Sequence, residues 1–289
     1  MKYGVIDIGS NSVRLLISKN GKSLIKLINT ARLAENSKDG FLKEEPSLRT
    51  LKAVAEYVES AKAENADKIF IFATAAIRNA VNGNEFADKV TAECGIKVDI
   101  VSGETEAFLG VLGALRGKDG AVLDIGGGST EIAVLKSGNI VYSKSLPIGA
   151  MVLTDKFGQD CDEICKFVTK TVKDYGEILD SEFYCIGGTC TSLAAVAQKL
   201  AVYDREKVDG YKFTPNEISR LTSEICALSV NERKSLNGLQ KERADIIHAG
   251  ALIFNAVAKY TNAKTFTVSE SDNLEGYLAY ITEKNVKKN

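Results

Sequence analysis

The chain has no tryptophan, one histidine, three prolines and two methionines in 289 residues. One histidine excludes any site built from several imidazoles. The six cysteines form no C-x-x-C pair, so a structural zinc site is not expected and the thiols read as reduced core residues. An excess of charge of one sign is missing too: 37 Lys and Arg against 38 Asp and Glu leave a net charge of −1, which gives no support for general nucleic-acid binding. No apolar run reaches the ~18 residues of a membrane span. Met1-Lys-Tyr-Gly4 leads straight into a strand containing Asp7 rather than into a signal peptide. A cytoplasmic protein without membrane or nucleic-acid partners is expected. Low-complexity segments are absent, and with 45% apolar residues two domains can each bury a core.

What is present is a repeated device. Asp124-Ile-Gly-Gly-Gly-Ser-Thr-Glu131 joins two apolar runs, Ala121 to Leu123 and Ile132 to Leu135, through three consecutive glycines. Strand, tight loop, strand is the reading, and such a loop lets backbone N–H groups converge on an anion. It is not a Walker loop, which needs Lys-Ser/Thr and a helix directly after the glycines. The device occurs once before, at Asp7-Ile-Gly-Ser-Asn-Ser12, and after each loop come a second strand, a Gly turn and a third strand. Asp7 and Asp124 are therefore equivalent, and the chain is a duplication. Two such units facing each other would grip a phosphate chain from both walls of a cleft.

The first unit reads as three strands, helix, strand, helix, strand, helix. A break at Gly117-Lys-Asp-Gly120 sets the border, giving domains 1–117 and 118–289, with the last helix free to pack on the first domain. In the second unit, helices are expected over 149–157, 162–179, 215–228 and 241–259, a strand over 183–186, and a glycine turn at Gly187-Gly188-Thr189 opening a helix. A phosphate at that turn gains from the helix N-terminus.

The segments DIGSNSVR (Asp7 to Arg14), TAAIRNAVN (Thr74 to Asn82), GETEA (Gly103 to Ala107), DIGGGSTE (Asp124 to Glu131), LPIGA (Leu146 to Ala150), GGT (Gly187 to Thr189) and ERADIIHAG (Glu242 to Gly250) resemble the exopolyphosphatase / guanosine pentaphosphate phosphohydrolase family. The resemblance runs the length of the chain in order. It implies an α/β fold of two ribonuclease-H-like domains around a central cleft, as in actin, sugar kinases and the Hsp70 ATPase domain. It also implies hydrolysis of a phosphoanhydride, with inorganic polyphosphate or guanosine pentaphosphate as substrate. A second copy of the chain is a candidate partner.

For the metal, Asp124 is the first candidate, with Glu131 and Asp7 as ligands or supports of ligands; Mg²⁺ commonly takes one or two carboxylates plus substrate phosphate. The blander reading is that these aspartates close turns. Candidate phosphate contacts are Gly9, Ser10, Asn11 and Ser12, Gly126, Gly127, Gly128 and Ser129, Gly188 and Thr189. Glu104 and Glu106 both sit in a first helical turn, where the macrodipole already explains a carboxylate. Residues two apart cannot share a face, and the resemblance selects Glu106 as the catalytic base, beside Asp124 and Glu131. Arg78 resembles the family's phosphate-binding arginine, against the reading of a solvated helix-start residue. His248 reads as a packed helix residue.

Two departures stand out. Asn273-Leu-Glu-Gly276 has Leu274 where the family usually carries Arg, and the chain resembles the short form that lacks a C-terminal helical domain. Basic residues at Arg205, Lys207, Lys212, Arg233, Lys234, Lys241 and Arg243, interleaved with acids, are read either as an exit groove for a polyanion or as ordinary charged surface. An actin-like or kinase-like ATPase and a non-hydrolytic phosphate sensor remain as readings of another class.

Overall fold

The chain divides into two compact units, Met1–Gly113 with Asn273–Asn289 and Ala114–Asp272. The computed structural model describes residues 1–37, 39–179 and 181–286, and of 283–286 only the backbone. The border falls after Gly113, inside a helix, rather than after 117, and the terminal helix is counted with the first unit.

In the first unit β1 (Lys2–Ile8), β2 (Val13–Lys19) and β3 (Lys22–Asn29) form a meander, followed by α1 (Glu44–Ala63), β4 (Lys68–Ala73), α2 (Ala75–Asn79), α3 (Gly83–Cys94), β5 (Val98–Ile100) and α4 (Gly103–Leu115). The sheet order is β3-β2-β1-β4-β5, with β1 antiparallel to β2 and parallel to β4. This is the ribonuclease-H-like order, and its parallel pairs are reached by helical crossovers because a short turn cannot reverse the chain twice. The helix α1 carries Glu44 and Glu45 in its first turn, where they suit the macrodipole, and buries Ala53, Val54, Tyr57, Val58 and Ala61 at helical spacing. α3 stops at Gly95, which is left-handed at φ 68°.

Alternation along β1 separates two cores. Ile6 and Ile8 pack with Leu15, Ile17, Val54 and Val58 on one face. On the other, Val5, Leu16 and Phe72 meet Leu109 of α4 and Leu274, Tyr277 and Leu278 of α12 (Asn273–Val286). Phe72 stacks on Tyr277 with ring centroids 4.5 Å apart, and Lys26 lies 3.0 Å from Glu275. Leu274 is wholly buried there, so this position serves packing.

The second unit repeats the plan. β6 (Gly120–Ile125), β7 (Thr130–Lys136) and β8 (Asn139–Leu146) form the meander, followed by α5 (Ala150–Phe157), α6 (Cys161–Thr171), β9 (Phe183–Ile186), α7 (Gly187–Ala197), α8 (Arg205–Val208), β10 (Lys212–Phe213), α9 (Pro215–Ala227), α10 (Val230–Arg233), α11 (Ile247–Thr261) and β11 (Phe266–Val268). The order β10-β11-β9-β6-β7-β8 is that of the first sheet with one added edge strand. The likeness extends to irregularities: the β2–β3 ladder shifts register at Ile17/Ser18 and the β7–β8 ladder at the equivalent Val134/Leu135. Two helices differ from expectation. The one expected over 162–179 ends at Thr171 and tightens into a 3-10 turn, because the buried Tyr175 donates its hydroxyl to the Thr130 carbonyl at 2.7 Å and Gly176 turns the chain at φ 70°. The one expected over 241–259 begins only at Ile247, after a 3-10 turn over Lys241–Arg243.

Candidate active site

The two loops are built alike. Gly9 N–H donates to the Ser12 carbonyl at 3.1 Å and Gly126 N–H to the Ser129 carbonyl at 3.0 Å, closing two-residue hairpin turns. In the first unit the carbonyls of Asn11 and Ser10 accept from the amides of Arg32 (2.9 Å) and Ala34 (3.0 Å). In the second, the carbonyls of Gly126 and Gly127 accept from Ala150 and Met151, both at 3.0 Å. The chain that follows each meander thus holds the loop's carbonyls. The amides at both loop tips (Ser10 and Asn11; Gly127 and Gly128) donate to no other backbone carbonyl among the described residues. Such amides form an anion cradle. Ser10, Asn11, Ser12 and Ser129 are all buried.

Space beside the second-unit loop requires a glycine at the start of α5. A Cβ at Gly149 would lie 2.3 Å from the Gly127 carbonyl oxygen, so α5 approaches the loop as closely as backbone allows. Gly187 and Gly188 open α7 directly after β9, with no side chain capping the helix. A Cβ at Gly187 would lie 2.4 Å from Asp124 Oδ1, and one at Gly188 would lie 2.3 Å from Arg243 Nη1. A carboxylate, a guanidinium and a helix N-terminus therefore meet beside the buried Thr189.

Arg243 belongs to this group although charge patterning placed it with surface residues. Its signal lay in the segment Glu242 to Gly250. Two of the seven basic residues leave the surface: Arg243 is buried, and Arg233, 2% exposed, donates to the Ile225 carbonyl at 2.9 Å and to Gln159 Oε1 at 2.6 Å as an interior brace. Arg205 is engaged with Glu270 at 3.0 Å and Lys207 with Asp204 at 3.5 Å.

Asp124 stands opposite Glu131 across the β6–β7 ladder, so the two carboxylates share a face. Glu131 is buried and accepts from Ser145 Oγ at 2.6 Å. Among the described residues no group of three or more His, Cys, Asp or Glu side chains is gathered to hold a metal ion. Two facing carboxylates still match what Mg²⁺ takes from a protein when phosphate completes the shell. Asp7, the equivalent of Asp124, faces Arg14 instead and accepts from Arg14 Nε at 2.9 Å and from its Nη2.

In the first unit Glu106 is buried and Glu104 exposed. Glu106 lies one turn before Leu109 on α4, on the side packed against the Val5 face of the sheet, and Asp7 shares that face at the strand end. Arg78 Nη1 donates to Glu106 Oε2 at 2.7 Å and to the Val101 carbonyl at 3.0 Å. Burial pushes the Glu106 carboxyl above its ordinary range; Arg78 pulls it back, Asp7 raises it and Arg14 lowers it, and burial prevails. A raised carboxyl of this kind is a better proton acceptor once ionised than an ordinary glutamate. His248 is buried, with Nε2 3.1 Å from the Gly158 carbonyl oxygen, and burial lowers its pKa to about 4, so it is neutral at pH 7. No helix among the described residues is long and apolar enough to cross a membrane.

Residues 11–284 match the profile of the Ppx/GppA phosphatase family. The chain is 32% identical to the bifunctional 3-dehydroquinate synthase/phosphatase of Fusobacterium nucleatum, over 94% of this chain but only 45% of that protein, so it spans less than half of that relative. It is 28% identical to exopolyphosphatase 2 of Mycobacterium tuberculosis, over 95% of this chain and 97% of the other. Among solved structures, the Ppx/GppA family member of Aquifex aeolicus superposes with a TM-score of 0.81 at 30% identity, covering 99% of this chain and 98% of the other.

Proposed function

Because the chain belongs to the Ppx/GppA phosphatase family, we propose that it is a cytoplasmic, Mg²⁺-dependent exopolyphosphatase that releases orthophosphate from the end of inorganic polyphosphate. The observation that carries the reading is Glu106, buried, raised in pKa and held through one oxygen only: Arg78 occupies Oε2, and Oε1 accepts no hydrogen bond from a described residue. Oε1 is the atom that takes a proton from water. The oxygen so activated attacks the terminal phosphorus, the bridging P–O bond breaks, and its electrons leave on the shortened chain. In the second unit the amides of Gly127 and Gly128 and of the α7 N-terminus at Gly188 and Thr189 are donors for phosphate oxygens; in the first unit those of Ser10 and Asn11 are the equivalent donors. Arg243 offsets phosphate charge beside Gly188. Asp124 and Glu131 would hold Mg²⁺, which supplies further charge neutralisation when bound.

The test is a side-by-side measurement of phosphate release from long polyphosphate, tripolyphosphate and guanosine pentaphosphate, with and without Mg²⁺. The proposal expects the highest kcat/KM on long polyphosphate and dependence on the metal. A higher kcat/KM on guanosine pentaphosphate would make the chain a nucleotide 5′-phosphohydrolase instead. No release from any of the three would overturn the hydrolase reading altogether.

A further inference from the structure

Arg78, expected to bind phosphate, makes two side-chain hydrogen bonds within the first unit. Its Nη1 is shared between Glu106 Oε2 at 2.7 Å and the Val101 carbonyl at 3.0 Å, so the donor nearest the glutamate is already committed at both ends. Its side chain is 20% exposed against 8% for Glu106, and a Cβ at Gly103 would lie 3.9 Å from Nη2, ordinary contact with the turn that opens α4. The backbone on either side is fixed as well. Arg78 N–H donates to the Thr74 carbonyl at 3.0 Å, and a Cβ at Gly83 would lie 1.9 Å from the Ile77 carbonyl oxygen, so α3 presses directly on α2. Glu106 N–H donates to the Ser102 carbonyl at 2.8 Å, and Ser102 Oγ accepts from the Thr105 amide at 3.1 Å.

We propose that Arg78 is the positioning residue of Glu106: it clamps one carboxylate oxygen against the β5–α4 turn and so presents the other to water. This rests on the exopolyphosphatase reading for its kinetics but not for the pairing itself. An arginine clamped at Nη1 restricts a buried carboxylate to one rotamer, and a base displaced by about 1 Å loses roughly 10²-fold in rate. Its charge also offsets burial, keeping the carboxylate ionised to lower pH. The other charged groups acting on Glu106 are Asp7 and Arg14, which oppose each other as a pair.

The experiment compares the wild-type chain with Arg78→Ala and Arg78→Lys in two ways. The first is the pH dependence of kcat and KM on polyphosphate. The second is a ¹³C titration of the glutamate carboxyls, with Glu106 assigned through Glu106→Gln. Arg78→Ala is expected to lower kcat about tenfold to hundredfold, to leave KM within about threefold, and to move the acid limb of kcat upward by about one to three pH units. Arg78→Lys restores part of the limb because it returns a cation. A tenfold or larger rise in KM with the acid limb unmoved would make Arg78 a phosphate clamp and overturn the proposal. If no variant and no wild type hydrolyses polyphosphate, the function fails alone. The pairing then stands on an upward move of the Glu106 carbon titration in Arg78→Ala, and falls if that titration does not move. Should Arg78→Ala lose its circular-dichroism spectrum, Arg78→Lys carries the same comparison: a lowered kcat at unchanged KM supports positioning, and an altered KM alone opposes it.

Discussion

Arg14 lies directly across the β1–β2 ladder from Asp7 and is ion-paired with it, whereas in the repeated hairpin Glu131 takes the corresponding place opposite Asp124. The duplication is thereby broken in charge while kept in backbone. One hairpin places a cation across the ladder from its aspartate; the other places a second carboxylate there, Glu131, which accepts from Ser145 Oγ.

The first prediction concerns that pair. Asp124→Asn should abolish turnover by about two orders of magnitude or more while the chain folds, since a strand-end carboxylate is not core packing. Without metal its melting temperature should stay close to the wild type's, because Asn is isosteric with Asp at this strand end. The stabilisation that Mg²⁺ with phosphate gives the wild type should vanish. Differential scanning calorimetry with and without the ion checks this; an undiminished Mg²⁺ response would remove Asp124 from the metal site.

Glu106→Gln keeps the shape and the α4 turn but deletes the proton acceptor. A fall in kcat of ~10²–10⁴ with KM within a few-fold is expected. In the wild type, kcat should rise as pH climbs through the raised Glu106 pKa, because only the ionised carboxylate accepts a proton. A change confined to KM would assign Glu106 to binding.

Gly149→Ala places a methyl 2.3 Å from the Gly127 carbonyl, a contact that neither rigid backbone can yield without movement. Destabilisation of about 1–3 kcal/mol is expected, together with a raised KM because the loop is displaced. Urea unfolding monitored beside steady-state kinetics tests both; an unaltered KM would separate the loop from substrate.

His248 gives a pH signature. Its folded pKa is lowered to about 4 by burial, with Arg233 adding to the shift, while the unfolded value is near 6.5. The unfolded chain therefore binds the extra proton first. Stability contributed by neutral His248 is whole above about pH 6.5 and is lost as pH falls toward about 4. The span corresponds to about 3 kcal/mol. With no other histidine in the chain, His248→Asn should flatten denaturation midpoints between pH 6.5 and 4.5 relative to wild type. Parallel slopes would show that His248 keeps an ordinary pKa.

Local patterns carried the fold a long way. The twin hairpins were legible because Asp-Ile-Gly followed by small residues recurs, and the three-strand meanders follow from alternating apolar runs. The strand β10 was missed because two residues carry no period, and the helix after Cys161 was drawn too long because nothing local announces that Tyr175 will turn inward. Arg233 and Arg243 read as groove or surface charge, since composition assigns arginine to solvent unless a partner is known, and both are buried.

By itself the sequence determined the repeat, the paired three-strand meanders, the loops with their glycines and the candidate carboxylates, because these depend on neighbours within a few residues. Which side chains meet was decided only by the tertiary structure. Arg78 reaches Glu106 across 28 positions, Asp124 meets the α7 glycines across the β6–β9 pairing, and Arg243 comes to Gly188. Such contacts arise from strand register and helix docking, and their partners are specified by packing over the whole unit rather than by any local period.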